Sequence, residues 1–377
     1  MVVGRLGQLR DLVDECHRGG EVRELVLPHD RVRPLTAPLL EGRQALLYLR
    51  VAERTHLRTR VAPFATAYSL RMRIVSLVPH ATELLFALGA GPEVVAVTHE
   101  CDYPLEALAL PRITRDVLPG GLTAAEIDRA VRERTLEGQA IYELDQEALA
   151  ALEPDLIVTQ ALCPVCAVSY DEVAEIAKKL PTKPRVIALD PKTLGETLGD
   201  VRTLAQATTR RDQGVDLVQA VAARVDRVKL AVRGLRPPRV LALEWLDPVF
   251  IAGHWTPQLI ELAGGSDALG MPGEPSETVG WETVAAAEPE IVVVMPCGYD
   301  APRAHEEALL HARELSSLQA RRIVAVNASA YFSRPGPRLV DGLELLAHIL
   351  HPNHTPGPPP GAEPLEVELG ERDRMTP

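Results

Sequence analysis

Cys163-x-x-Cys166 is the most distinctive short motif in the chain. Two thiolates at this spacing can form a disulfide, cycle as a redox pair, or hold a soft metal from one side. One such pair is half of a zinc site, and Cys16, Cys101 and Cys297 stand alone in sequence, so no second pair completes it. Cys101, Cys297 and the motif itself all follow apolar runs, which places four of the five cysteines where strand ends can converge. His80 with Glu83 and His99 with Glu100 are further candidate ligands, but histidines at loop ends are more often plain polar contacts, and no metal site is expected. Catalytic signatures do not emerge. The chain has no GxSxG elbow, no Walker loop and no GxGxxG after a strand, so neither a catalytic residue nor a catalytic cofactor is expected.

The elements that would position these residues begin at Met72–Gly91, MRIVSLVPHATELLFALGAG. Ile74, Val75, Leu77 and Val78 form the apolar run of a strand buried on both faces, and Pro79 bounds it. Thr82 is placed to cap a helix carrying Leu84, Leu85, Phe86 and Leu88, which Gly89 ends. Pro79-His80-Ala81 then lies at the carboxyl end of a strand, where open α/β sheets bind ligands. Alternation continues through strands near Val94–Thr98, Asp155–Thr159 and Arg185–Leu189, and restarts at Arg239–Leu243, Ile291–Met295 and Arg322–Val326. Between the two series, Val215, Val218, Val221, Val225, Val228 and Val232 recur at steps of three or four, predicting one long helix that starts near Leu194 or Thr209 and ends at Gly234. The expected class is α/β: two doubly wound lobes joined by one long α-helix, with a ligand cleft between them. The expected boundaries are an N-terminal extension 1–71, lobes at 72–205 and 237–352, an interlobe helix 206–236, and a disordered Pro/Gly/Glu-rich tail 353–377. Within the extension, a short helix over Leu6–Cys16 and a strand at Ala45–Val51 are expected.

The net charge is −12 over 377 residues, with no Lys/Arg block, which disfavours nucleic acid and anionic membrane as partners. No apolar run reaches transmembrane length. Met1–Gly20 carries six charged side chains and no apolar h-region, and the cysteine number is odd. Both features favour a reducing, cytoplasmic setting, with a periplasmic or cell-surface location if the start site is wrong.

SLVPHATELLFALG, the later LEPDLIV, the long middle helix and the closing YFSRPGPRLVDGLELLAHIL resemble the class III substrate-binding proteins of ABC transporters, most of all the cobalamin- and iron-siderophore-binding type. The resemblance covers roughly Met72–His351 and implies a non-enzymatic protein with ligand held between two lobes. A corrin ring is large, flat and partly apolar, with amide substituents. Aromatic faces and amide or guanidinium donors suit it, and aromatics, at 4% of the chain, are scarce enough that Trp245, Trp255 and Tyr331-Phe332 near strand ends stand out. The expected ligand contacts in the first half are Pro79, His80, Glu100, Tyr142, Gln160, Cys163 and Cys166. In the second half they are Trp245, Tyr331, Phe332 and Arg334, with Arg338 left to brace the last helix. Glu100 and Ala330 stand where cobalamin-binding relatives carry a tyrosine and an acidic residue. Glu147 and Glu282 match the one glutamate per lobe that docks on a permease, each also suited to pair with a helix N-terminus. The resemblance thus implies a monomeric protein with cobalamin as ligand and an ABC permease as partner. Alternatives are an iron-siderophore, haem or metal-ion receptor, and a cytoplasmic redox or metal-handling enzyme using the cleft cysteines.

Overall fold

The computed structural model describes residues 71–137, 139–161, 168 and 170–369. The extension, Cys163 and Cys166 therefore lie outside the described residues, as do the helix and strand expected within 1–71. The chain divides into two compact units, 1–68 and 69–377, and only the second is described here.

Its first lobe is a parallel four-stranded sheet, β2-β1-β5-β6, built from β1 (Ile74–Ser76), β2 (Val94–Val97), β5 (Leu156–Gln160) and β6 (Arg185–Leu189). A small antiparallel ribbon, β3 (Thr114–Asp116) with β4 (Tyr142–Leu144), stands beside it. Helices α1 (Pro79–Ala87), α2 (Ala124–Leu136), α3 (Gln146–Ala151) and α4 (Tyr170–Lys179) connect these strands. Strand alternation sends Ile74, Leu156, Val158 and Leu189 into one core layer, and Val75 and Ile157 into the other. Both faces are covered, which is why these strands read as unbroken apolar runs.

The second lobe repeats the plan around β7 (Arg239–Leu246), β11 (Ile291–Val294) and β12 (Arg322–Ala325), which are mutually parallel. Short strands flank them: β8 (Val249–Ile251), β9 (Ser266–Asp267) and β10 (Glu277–Thr278) on one side and β13 (Leu365–Glu366) on the other. Helices α7 (Thr256–Leu262), α8 (Trp281–Ala286), α9 (Ala301–Leu310), α10 (Ala312–Ser317), α11 (Ala328–Tyr331) and α12 (Leu339–Leu350) complete it. Here too Val240, Ile291 and Val293 enter one layer and Leu241, Val292 and Val294 the other.

The connector is a pair of helices, α5 (Leu194–Ala207) and α6 (Arg211–Ala231), and both starting points left open by the valine spacing are used. The break between them turns at Thr209, whose φ is +57°. Helix α6 belongs to both lobes. Its first half sets Leu217 and Val218 on the first core, and Gly214 lies so close to Ala205 that a Cβ would meet it at 2.5 Å. Its second half sends Val225, Val228 and Val232 into the second core. Val215, at the head of the valine series, is instead 54% exposed.

Two expectations differ from the structure. Pro79-His80-Ala81 is the first turn of α1 and not a loop, because a proline at the first helical position needs no N–H partner and starts the helix earlier. Thr82 is thus inside the helix, where its hydroxyl donates to Ser76 Oγ at 2.8 Å. Residues 353–369 were expected to be a disordered tail. Instead Ala362 and Val367 are buried, and β13 pairs antiparallel with β12, closing that edge of the sheet.

Candidate functional site

Near the connector the lobes meet through an apolar seam and a charged cluster. Beside the connector, Leu84 of α1, Leu198, Val201, Leu217 and Val221 pack against Gly336, Pro337 and Val340, and the space left among them is only about 10 Å³. Next to this lies a charged cluster. Glu83, with its side chain 1% exposed, accepts from Arg338 Nε at 3.0 Å and Nη2 at 2.5 Å. Arg334 Nη1 stands 3.8 Å from the same carboxylate and also pairs with Asp102. Arg334 Nη2 donates to the Glu100 carbonyl at 3.1 Å, and Arg338 lies over the Tyr103 ring, 4.3 Å from its centroid. Burial pushes the Glu83 carboxyl up, and the two guanidinium groups offset this only in part. Buried charges persist only when paired in this way.

Beyond the cluster the lobes part around a cavity of about 490 Å³. One wall comes from α2, whose Ile127, Asp128 and Val131 face inward at helical spacing; a capping box between Thr123 and Glu126 fixes its start. Gln160, the last residue of β5, joins that wall. The other wall carries Glu244, Trp245, Phe250, Trp255, Met295, Cys297 and Phe332 from the second lobe. Trp245 packs edge-on against Tyr299, and its indole N–H lies 3.2 Å from the Ala124 carbonyl at the head of α2, linking the two walls. Trp255 is buried and donates to the Phe332 carbonyl at 2.7 Å, so it braces the floor.

A bulge shapes this floor. The pairing of β7 with β8 slips between Leu243 and Trp245, so Glu244 and Trp245 both reach the cavity, although neighbours in a regular strand face opposite ways. Ser276 Oγ donates to Glu244 Oε2, and the Gly253 N–H also serves this carboxyl. Gly253 is needed for that approach: a Cβ there would lie 2.3 Å from the Ser276 nitrogen. Burial pushes the Glu244 carboxyl up to about 7. His254, at φ +52°, borders the cavity, and burial and then Lys192 hold its imidazole below the usual range, in its neutral form.

Of the expected contacts, Gln160, Trp245 and Phe332 are brought together in this cavity. Several others stand elsewhere. Pro79 and His80 are buried in α1; the His80 Nε2 has no hydrogen-bond partner, and burial, aided by Arg334, lowers that imidazole to about 3. Arg334 is spent on Asp102, Glu83 and a carbonyl, and Arg338 braces the lobe junction more than the last helix. Tyr142 donates to Glu100 at 3.0 Å beside the His99 ring, forming a polar group next to Arg334. The Tyr331 hydroxyl lies near Gly361, away from the cavity lining. Cys101 does not converge with Cys297: it is buried in the first core, 3.1 Å from the Thr82 hydroxyl, and burial raises its thiol to about 11. Among the described residues no group of three or more His, Cys, Asp or Glu could hold a metal ion. Glu147 and Glu282 are exposed, each the second residue of a six-residue helix, one per lobe. Glu244, Phe250, His254, Ser276 and the α2 residues were missed by sequence reasoning. The turn signal Asp247-Pro248 between two β-like runs could have flagged Phe250 and its hairpin.

The sequence is 25% identical over 280 residues to the vitamin B12-binding protein of Vibrio cholerae serotype O1, covering 74% of this chain and 88% of that protein. Among solved structures, the periplasmic vitamin B12-binding protein BtuF of Vibrio cholerae superposes with a TM-score of 0.54 at 24% identity, covering 74% of this chain and 96% of that one. The periplasmic heme-binding protein RhuT from Roseiflexus sp. RS-1 gives 0.55 at 25% identity, with coverages of 74% and 98%. These periplasmic relatives overturn the cytoplasmic expectation, which rested on the charged first twenty residues and on the odd number of cysteines. No helix among the described residues is long and apolar enough to cross a membrane. Residues 74–323 match the family of periplasmic binding proteins, and this chain belongs to that family of non-enzymatic substrate-binding proteins.

Proposed function

We propose that the ligand is cobalamin or a related corrinoid, held in the interlobe cavity and delivered to an ABC-type permease. One observation carries this reading: Trp245, Phe250 and Phe332 offer aromatic walls, Gln160 offers an amide, and no Lys or Arg lines the cavity among the described residues. A corrin ring presents apolar faces with uncharged amide substituents, and it needs no guanidinium to neutralise it. The vitamin B12-binding relatives support the same ligand. The matched, exposed Glu147 and Glu282 are the proposed docking points, one per lobe, on basic residues of the permease, and the protein acts as a monomer. Haem is the second reading, favoured by the neutral His254 imidazole at the cavity and by heme-binding structural relatives. Absorption titrations of the purified protein with cyanocobalamin, haem, a ferric siderophore and zinc decide between them. A saturable shift of the corrin bands is expected; a Soret shift with no corrin response replaces corrinoid by haem.

A further inference from the structure

The cavity holds one polar device that neither the aromatic walls nor the lobe junction uses: the bulged Glu244 with Ser276. We propose that Glu244 is the specificity residue of this cleft, selecting a ligand that presents an amide and turning away one that presents a carboxylate. The inference rests on the reading of this cavity as the ligand site.

Three observations carry it. The β7 bulge turns Glu244 into the cavity beside Trp245, where a regular strand would have pointed it away. Ser276 and the Gly253 N–H occupy part of the carboxyl, and the close packing of Gly253 on Ser276 holds that pair in place. The electrostatic surroundings are one-sided. Among the described residues, the other titratable groups on the cavity are Asp128 of α2, His254 after β8 and Cys297 after β11, and none is a fixed cation. The cations around the rim are balanced: Arg132, whose guanidinium lies 5.9 Å from the Phe250 ring centroid, pairs with Asp128 at 2.7 Å, Arg334 pairs with Asp102 and the Glu100 carbonyl, and Lys192 acts on His254 together with the opposing Asp190.

An amide matches Glu244 in either protonation state. Its carbonyl accepts from the neutral acid, and its N–H donates to the carboxylate. A ligand carboxylate can pair only with the neutral acid, and meets uncompensated like charge once Glu244 ionises. Since burial places that ionisation near pH 7, preference for amide over acid should grow as the pH rises through neutrality. The proton moves only between Glu244 and solvent, so no further reactant is involved.

The test compares cyanocobalamin with its monocarboxylic acids, each with one propionamide replaced by carboxylate, by absorption titration at pH 6 and pH 8. In the parent, at least one acid should bind on the order of tenfold more weakly than cyanocobalamin at pH 8, with the gap narrowing at pH 6. E244Q keeps the shape without the charge, and should close the gap between cyanocobalamin and the acid to within about threefold at both pH values, with an apo melting temperature near the parent's showing that the fold is intact. Ser276→Ala, which removes a donor to the carboxylate, should move the pH at which the gap opens upward. A gap that persists in E244Q, or that ignores pH in the parent, overturns the role of Glu244 and leaves the corrinoid reading standing. If the parent binds no corrinoid but binds haem, that reading falls, and haem against its dimethyl ester then tests Glu244 in the same way. A parent that binds neither pair overturns both.

Discussion

Arg338→Ala tests whether the charged cluster joins the lobes. The Glu83 side chain is 1% exposed and receives two hydrogen bonds from Arg338, whose own side chain is 15% exposed. Truncating Arg338 leaves a buried carboxylate facing only Arg334, at 3.8 Å and already paired with Asp102. Removing one member of a buried pair costs about 3–5 kcal/mol, and the remaining guanidinium argues for the lower end. About 3 kcal/mol corresponds to roughly a hundredfold change in the folding equilibrium. Replacing both members, as Glu83→Leu with Arg338→Met, strands no charge and should lie within about 1 kcal/mol of the parent. Urea unfolding followed by far-ultraviolet circular dichroism measures all of this. Tryptophan fluorescence adds a report from the second lobe, where Trp245, Trp255 and Trp281 reside. Because Glu83 is sheltered, 0.5 M salt should alter the cost little. A loss below about 1 kcal/mol for Arg338→Ala, or a double variant as unstable as the sum of its singles, would refute the reasoning.

Three further outcomes are expected. Trp245→Ala should weaken corrinoid binding by about 2 kcal/mol, roughly thirtyfold, as read by titration, with tight binding by the variant counting against this cavity. Asp200, with a buried Oδ2 that finds no partner, is pushed up to about 7 by burial and then by Asp190 and Glu196. A carboxyl harder to ionise when folded leaves stability intact below its unfolded value near 3.8 and erodes it as pH rises through 7. Asp200→Asn should therefore stabilise by about 1–2 kcal/mol at pH 8, allowing for the group's partial exposure, and by nothing at pH 3.5; equal melting shifts at both pH values would disprove this. Finally, small-angle scattering with and without ligand should differ only slightly, since α6 is continuous across both cores; a large closure would show that the connector bends.

The fold was legible because its signals are local and repeated. Runs such as Ile291–Val294 are buried on both faces and cannot be mistaken for amphipathic strands, and the valine series marks a helix that serves two cores. The short edge strands β8, β9, β10 and β13 were not legible. Two or three residues carry too little pattern, and their pairing is decided by the neighbour they cover. The site was read in part for a similar reason. Trp245 and Phe332 announce themselves by type. Arg334 was read as a ligand donor because it matches the arginine that the family's closing motif places near the cleft, whereas the partners that occupy it, Glu83 and Asp102, lie more than two hundred residues earlier. Glu244 was invisible because strand alternation assigns it away from Trp245, and only the bulge brings both to one side.

The same geometry explains why specificity has to reside in side chains already in place. Arg210 ties α6 to Glu93 of the first lobe, Arg224 ties it to Asp341 and Glu344 of the second, and the packing around Gly336 leaves almost no void between them. A wide opening would part α6 from one lobe or the other, and so break one of these paired sets at a cost of exposed or stranded charge. A cleft that cannot remodel around its ligand must discriminate with fixed walls. The cations that could have balanced an anionic ligand are instead consumed in holding the lobes together. Arg334 and Arg338 face Glu83 and Asp102, while the cavity a few residues away keeps Glu244 and Asp128. The demand for a rigid junction and the proposed preference for an uncharged ligand are therefore linked, because the arginines of one short loop serve the first and are absent from the cavity lining among the described residues.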